Sequence, residues 1–299
     1  MDDAEFRRSH RRALVDDRVS GASQLARQAL DSLAAYAGSC AEQDPVNLRR
    51  MLLDFAEQLQ YARPNMAPIY TILQRWVDRV EDLPVDDVDG LRREAATHAQ
   101  ELADQSLHAV ERAAQRAAKL IGRDATILTH SLSSTVTETF RLLADRGVRG
   151  IVSEGRPGYE GRQQARHLDR AGVPVTMITD AQLGHFTQQA SVVLVGADSL
   201  LADGSVVNKV GTSMLALAAR AQRVPFYVCC ESFKQVPFSA RSLELEEADP
   251  AEIDAPRGKH ITPANVYFDI TPARYVSAWI TDERVRQKKP KKVPQGKRK

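Results

Sequence analysis

A chain of 299 residues is long enough for two domains and a sizeable core, and 43% apolar with 27% charged residues argues against a fibrous or wholly disordered protein. No apolar run approaches the roughly 20 residues that cross a bilayer, and the opening MDDAEFRRSHRR lacks the apolar centre of a secretory signal; the sequence predicts a cytoplasmic protein with no membrane partner. The formal charge of +2 conceals an asymmetry, because residues 284–299 hold nine Lys or Arg and no acid, leaving 32 basic against 39 acidic residues in the rest.

Residues from Asp16 onward read as a helix, with Ser20-Gly-Ala-Ser23 able to cap it and Leu25, Ala29, Leu33 and Tyr36 or Ala37 as its apolar stripe. Leu48, Leu52, Phe55 and Leu59 mark a second helix over Pro45 to Tyr61. Pro64 disfavours helix at Arg63 and interrupts the pattern, which resumes through Ile69 to Trp76. After an acidic loop from Glu81 to Asp89, a long helix free of Gly and Pro is predicted from about Leu91 to Leu120.

Near Ile121-Gly122 the texture changes. Strands are predicted at Thr126–Thr129, Arg149–Ser153, Pro174–Thr179, Ser191–Val195 and Pro225–Cys229, alternating with helices at Ser133–Ala144, Glu160–Ala171, Ala181–Gln189 and Ser213–Ala221. That alternation implies a parallel sheet wound on both faces. Glu244 to Ala255 reads as an acidic loop and Asn265 to Ile270 as a late strand. The expected fold class is therefore α/β: an amino-terminal helical domain over 1–121, a Rossmann-like doubly wound parallel sheet over 122–283, and a basic disordered tail over 284–299. Such a tail can bind nucleic acid by charge alone, or serve only solubility. Cys40, Cys229 and Cys230 form an odd set without metal-ligand spacing, so reduced thiols and no metal are expected. No GxGxxG follows the first strand, and no cofactor is implied.

Ligands of open α/β sheets sit beyond the carboxyl ends of the strands. There the sequence places Thr129-His130-Ser131, Glu154-Gly155-Arg156, Asp180, Asp198 and Lys234. Asp198 follows the apolar strand Ser191–Val195. Asp203-Gly204 then reads as a turn, and Asn208-Lys209-Val-Gly211-Thr212 leads into a helix, supplying an amide, a cation and backbone N–H groups suited to a phosphate. Arg156, Lys209 and Arg63 can add fixed positive charge. Lys234 can reach a ligand or pair with Glu231, and the second is the weakly favoured reading.

These motifs, together with Arg63-Pro64, Glu154-Gly-Arg-Pro157, Glu231-Ser-Phe-Lys234 and Phe268-Asp-Ile-Thr-Pro272, occur in the order found in the alpha/beta/delta subunit family of translation initiation factor 2B. The chain resembles that family over most of its length, and particularly its branch of ribose-1,5-bisphosphate and methylthioribose-1-phosphate isomerases. The resemblance implies a sugar-phosphate ligand and a homodimer or hexamer. It also implies a cysteine and an aspartate performing acid–base work. The aspartate aligns with Asp198, but the cysteine position, after Thr-His, is Ser131, a far weaker acid unless a base such as His130 activates it. Where the isomerases carry Arg-Gly-Ala near the amino terminus, this chain has Ser20-Gly21-Ala22, with Arg18 two positions earlier. Three readings follow: a pentose 1-phosphate isomerase, a non-catalytic sugar-phosphate or nucleotide sensor, and a protein- or RNA-interaction subunit.

Overall fold

The computed structural model describes residues 3–288 apart from 18–19, 64–65, 241–244 and 246. Arg18, Pro64, Glu244 and the tail beyond Lys288 lie outside the described residues. Five helices come first: α1 (Asp3–Asp16), α2 (Ala22–Ser39), α3 (Pro45–Gln60), α4 (Ala67–Glu81) and α5 (Val88–Ile121). The stripes legible in the sequence are the buried faces. Leu25, Ala29, Leu33, Tyr36 and Ala37 of α2 are fully covered, as are Leu48, Leu52, Phe55 and Leu59 of α3. The 34-residue α5, about 50 Å long at 1.5 Å per residue, packs along both α2 and the helix Ser134–Leu143 and so ties the helical layer to the sheet.

The first helix was not anticipated, and the chain does not run helically through Asp16. α1 ends there because the segment before Gly21 turns: Ser20 N–H donates to Asp17 Oδ1 at 2.8 Å, and Arg63 Nη1 donates to the Asp17 carbonyl at 2.9 Å. α1 docks through Phe6, whose ring lies 5.6 Å from Tyr36 and 6.3 Å from Phe55.

The second half contains β1 (Thr126–His130), α6 (Ser134–Leu143), β2 (Arg149–Ser153), α7 (Glu160–Arg170), β3 (Val175–Ile178), α8 (Leu183–Thr187), β4 (Val192–Val195), β5 (Ser199–Leu200), β6 (Val206–Lys209), α9 (Thr212–Gln222), β7 (Phe226–Cys229), β8 (Phe268–Thr271), β9 (Ala278–Ile280) and β10 (Val285–Gln287). Seven strands form one sheet in the order β10-β9-β7-β4-β1-β2-β3. All neighbours are parallel except β10, which runs antiparallel to β9. The chain thus starts in the middle at β1, winds outward through β2 and β3, and crosses back to β4, β7 and β9. The crossing between β1 and β4 is the switch point of a doubly wound sheet, where a crevice opens beyond the strand ends.

Two features depart from the sequence expectation. Val206–Lys209 is a strand rather than a loop leading into a helix, and it lies between β5 and β8 in a small antiparallel sheet. Its buried Val207 joins Leu201, Phe233 and Phe268 in the apolar core of the helical layer. Val285–Gln287, in the stretch expected to be disordered, pairs with Ala278–Ile280. A charged edge strand looks like a tail in composition because edges are protected by charge. The late strand at Phe268–Thr271 belongs to the small sheet, not the parallel one.

Candidate functional site

β1 ends at His130, and Ser131 follows in the left-handed region at φ 64°. For a serine this is a sparsely populated conformation, of the kind that clusters at binding sites. β4 ends at Val195. Gly196 lets its exit pass close to the start of α6, where an added Cβ would lie 2.5 Å from Ser133 Oγ. The chain then delivers Asp198, whose N–H donates to the Val207 carbonyl at 2.9 Å. That bond, with the pairing of Ser199 to Val207, fixes Asp198 beside Asn208 on the next strand.

The result is a two-lobed crevice at the switch point. A cavity of about 390 Å³ is lined by Gly21, Ala22, Arg63, Ser131, Asp198, Asn208 and Lys209, and by Glu160 and Tyr267. A second lobe of about 300 Å³ shares Gly21, Ala22, Asp198 and Asn208, and adds Ser23, Arg27 and Lys234. Both sizes fall in the usual range for small-molecule sites. Seven of the residues expected from the sequence therefore meet in one lobe, and Lys234 faces the adjoining one.

The amino terminus of α2 opens onto both lobes. Gly21 is its N-cap, in extended conformation, and no side chain caps it. The buried Ser23 hydroxyl has no hydrogen-bond partner among the described residues. Helix N-termini attract anions through exposed N–H groups and the helix dipole. Lys209 Nζ donates to Glu160 Oε1 at 2.6 Å and lies 5.0 Å from the Tyr267 ring centroid; the other Glu160 oxygen is buried with no hydrogen-bond partner among the described residues. Across the crevice Lys234 Nζ is 3.6 Å from Glu231 Oε2, the pairing favoured from the sequence. Burial pulls Lys234 down, but Glu231 and Asp198 outweigh it and hold its ammonium above the ordinary value. Burial likewise raises the Asp198 carboxyl, and the Lys234 and Lys209 charges offset this only in part.

The remaining expected residues are placed elsewhere. His130 is buried, with Nδ1 2.6 Å from Ser153 Oγ and Nε2 2.8 Å from the Val210 carbonyl. A carbonyl only accepts, so Nε2 carries the proton, and burial lowers the imidazole below its ordinary value. Both nitrogens are engaged away from Ser131, whose hydroxyl has no hydrogen bond among the described residues. Gly211 and Thr212 do not line the cavity. Gly211 N–H donates to Asp269 Oδ2 at 2.8 Å, and Ser213 N–H and Oγ donate to the same carboxylate. The N-terminus expected to hold phosphate is thus occupied by a protein carboxylate. Thr212 Oγ1 instead accepts from Asn208 Nδ2 at 3.0 Å, orienting that amide. Arg156 is also outside the cavity. Its Nη2 donates to the Ile253 carbonyl at 3.1 Å and its guanidinium packs 5.0 Å from the Tyr159 ring centroid. Asp180 holds the adjoining loop by accepting from Gly155 and Arg156 N–H groups at 2.9 and 2.7 Å.

Arg27, Glu160 and Tyr267 were missed. Arg27 and Glu160 are ordinary charged helix residues in the sequence, and only the packing of α2, α7 and β6 aims them at the crevice.

The chain as a whole has relatives. Over 276 residues the chain is 36% identical to a putative translation initiation factor eIF-2B subunit 2-like protein of Pyrococcus horikoshii, spanning 91% of this chain and 92% of the relative. Over 270 residues it is 29% identical to a ribose 1,5-bisphosphate isomerase of Methanocaldococcus jannaschii, spanning 88% and 86%. The crystal structure of 5-methylthioribose 1-phosphate isomerase from Pyrococcus horikoshii superimposes with a TM-score of 0.80 at 25% identity, over 93% of this chain and 83% of that one. The model of the initiation factor 2 subunit family matches residues 18–285, and with that match spanning nearly the whole chain, the protein belongs to the initiation factor 2 subunit family.

Proposed function

We propose that the chain binds a phosphorylated pentose in the two-lobed crevice. The observation that carries this reading is the uncapped N-terminus of α2 facing Lys209 and Arg63 in one lobe, with Arg27 and Lys234 in the other. Donors of one sign at both ends, separated by Asp198 and Asn208, suit a sugar that carries phosphate at each end. Ribose 1,5-bisphosphate has that form. The relatives named as ribose 1,5-bisphosphate isomerases support the choice of ligand class.

Calorimetric titration of ribose 1,5-bisphosphate tests it. Lys209→Ala removes one charge-assisted contact, worth about 1.5–3 kcal/mol, so Kd should rise roughly 10- to 100-fold. An equal Kd for wild type and Lys209→Ala would exclude this crevice as the site.

A second reading, aldose–ketose isomerisation, is favoured by the raised carboxyl of Asp198. Opening the ring of a sugar 1-phosphate requires a proton on the ring oxygen as its bond to C1 breaks, while the C2 proton leaves to a base. The enol that results becomes the ketose when C1 is protonated. A carboxyl whose proton is held more tightly than usual is better suited to serve as the acid. The base is the weak member, because Ser131 has neither a thiol nor a neighbouring imidazole to activate it. Binding is therefore the primary reading, with turnover resting on Asp198.

A further inference from the structure

A cluster of cations at the carboxyl-terminal edge of the large sheet is not used by the crevice. β10 and the residues on either side of it read Arg284-Val285-Arg286-Gln287-Lys288, and alternate residues of an extended chain share a face, about 7 Å apart. Arg284 and Arg286 accordingly line one cavity of about 140 Å³, together with Trp279. The Arg286 guanidinium lies 4.1 Å from the Trp279 ring centroid and Lys288 Nζ 5.2 Å from it. Lys288 Nζ also donates to the Ala273 carbonyl, which joins β10 to the turn carrying Arg274 and Tyr275. Around the Tyr275 ring stand Arg274 at 4.7 Å and Arg220, from the end of α9, at 5.5 Å. Gly204 makes the close approach possible, since a Cβ there would lie 2.8 Å from Arg286 Nη2 and 3.4 Å from Trp279.

Among the described residues no carboxylate forms an ion pair with Arg220, Arg274, Arg284, Arg286 or Lys288. The aromatic rings hold the cations in place without neutralising them. Burial lowers the Lys288 ammonium, and the neighbouring Arg286 and Arg220 lower it further, as like charges held together do. Protection of an exposed sheet edge would account for charge on β10 itself, but not for Arg220 and Arg274, which come from other segments to the same place. The sequence continues this charge with six further Lys or Arg in residues 289–299 and no acid, whereas the rest of the chain is net negative.

We propose that this edge is a binding surface for the phosphate backbone of single-stranded nucleic acid. A row of uncompensated cations in 7 Å steps needs an extended polyanion, and the turn from β10 to Arg274 and Arg220 needs a flexible one. Contacts to phosphate alone make the binding indifferent to base and sensitive to salt. The surface stands apart from the crevice and does not depend on the sugar-phosphate reading.

The test uses the full chain and a fluorescent 20-nucleotide oligouridylate, with Kd measured between 50 and 200 mM salt and polyglutamate as the competing polyanion. Binding should weaken with salt, and Arg274→Glu with Lys288→Glu should raise Kd about tenfold or more. The logarithmic salt slope should fall by about 0.7 for each phosphate contact removed. Arg220→Gln, at the far end of the cluster, should weaken binding in the same direction with less risk to folding, and thermal unfolding confirms that each variant is intact. Lys291→Glu with Lys292→Glu reports the contribution of the tail. No binding by wild type at 50 mM salt would overturn the proposal. So would a loss confined to the tail variant, or displacement by polyglutamate at equal charge concentration.

Discussion

Asp198 lies where the two lobes meet, and its environment makes a claim about stability as well as chemistry. Burial holds its folded-state carboxyl above the ordinary value near 3.9. Below that value the group is neutral in both folded and unfolded chains and costs nothing. As pH rises through the raised folded value, the folded state must carry a desolvated charge and loses stability that the unfolded state keeps. Asp198→Asn should therefore raise the melting temperature at neutral pH, on the order of 2–4 °C, with the gain vanishing below about pH 4. A wild-type and variant difference that stayed constant from pH 4 to 8 would contradict the burial argument. Ser131 behaves differently. Its strained backbone places a hydroxyl in the same lobe, but His130 spends both nitrogens on Ser153 and Val210. Adjacency in sequence made that imidazole a candidate base, and residues adjacent across a strand end need not face the same way.

At the scale of elements, two helix N-termini near the site, those of α2 and α9, have opposite fates. That of α2 is left without a side-chain cap at the crevice, whereas that of α9 is closed by Asp269. Asp269→Ala should destabilise the fold by about 0.5–2 kcal/mol, as loss of a helix cap does, measured by urea unfolding. No change in the midpoint would mean that the carboxylate repays less than its own burial costs. The sequence could not reveal this exchange. Asn208-Lys209-Val-Gly211-Thr212 offers phosphate chemistry on paper, but which N–H groups remain available depends on β8, about 60 positions further on. The helical stripes were legible because burial of one face imposes a period of 3.6 on the chain, and the buried parallel strands because burial of both faces leaves short, largely apolar runs. β6 was hidden because a four-residue strand between a turn and a helix leaves no period to read. β10 was hidden by its charge. Asp198 was legible from its place beyond a strand, Lys209 from its place at a helix entry and Arg63 from its place at a helix break, whereas Arg27 and Glu160 reach the crevice only through tertiary packing.

In the whole molecule, charge is divided between two places. Cations in the crevice are tempered by Glu160, Glu231 and Asp198, which suits a small, exchangeable anion. Those at the sheet edge form no ion pair with a carboxylate among the described residues, which suits a long one. The two surfaces are separable by mutation, so Lys288→Glu should leave the crevice ligand unaffected and Lys209→Ala should leave the edge unaffected.

The most direct test of the central claim is phosphorus NMR of the wild-type protein with ribose 1,5-bisphosphate, beside Asp198→Asn and Ser131→Cys. The account predicts that both substrate phosphorus signals broaden or shift in wild type, because both phosphates are held. Ketose signals that appear only with an intact Asp198, and grow faster in Ser131→Cys, would add turnover to binding. Substrate signals unperturbed in all three proteins would contradict the assignment of this crevice to a phosphorylated pentose.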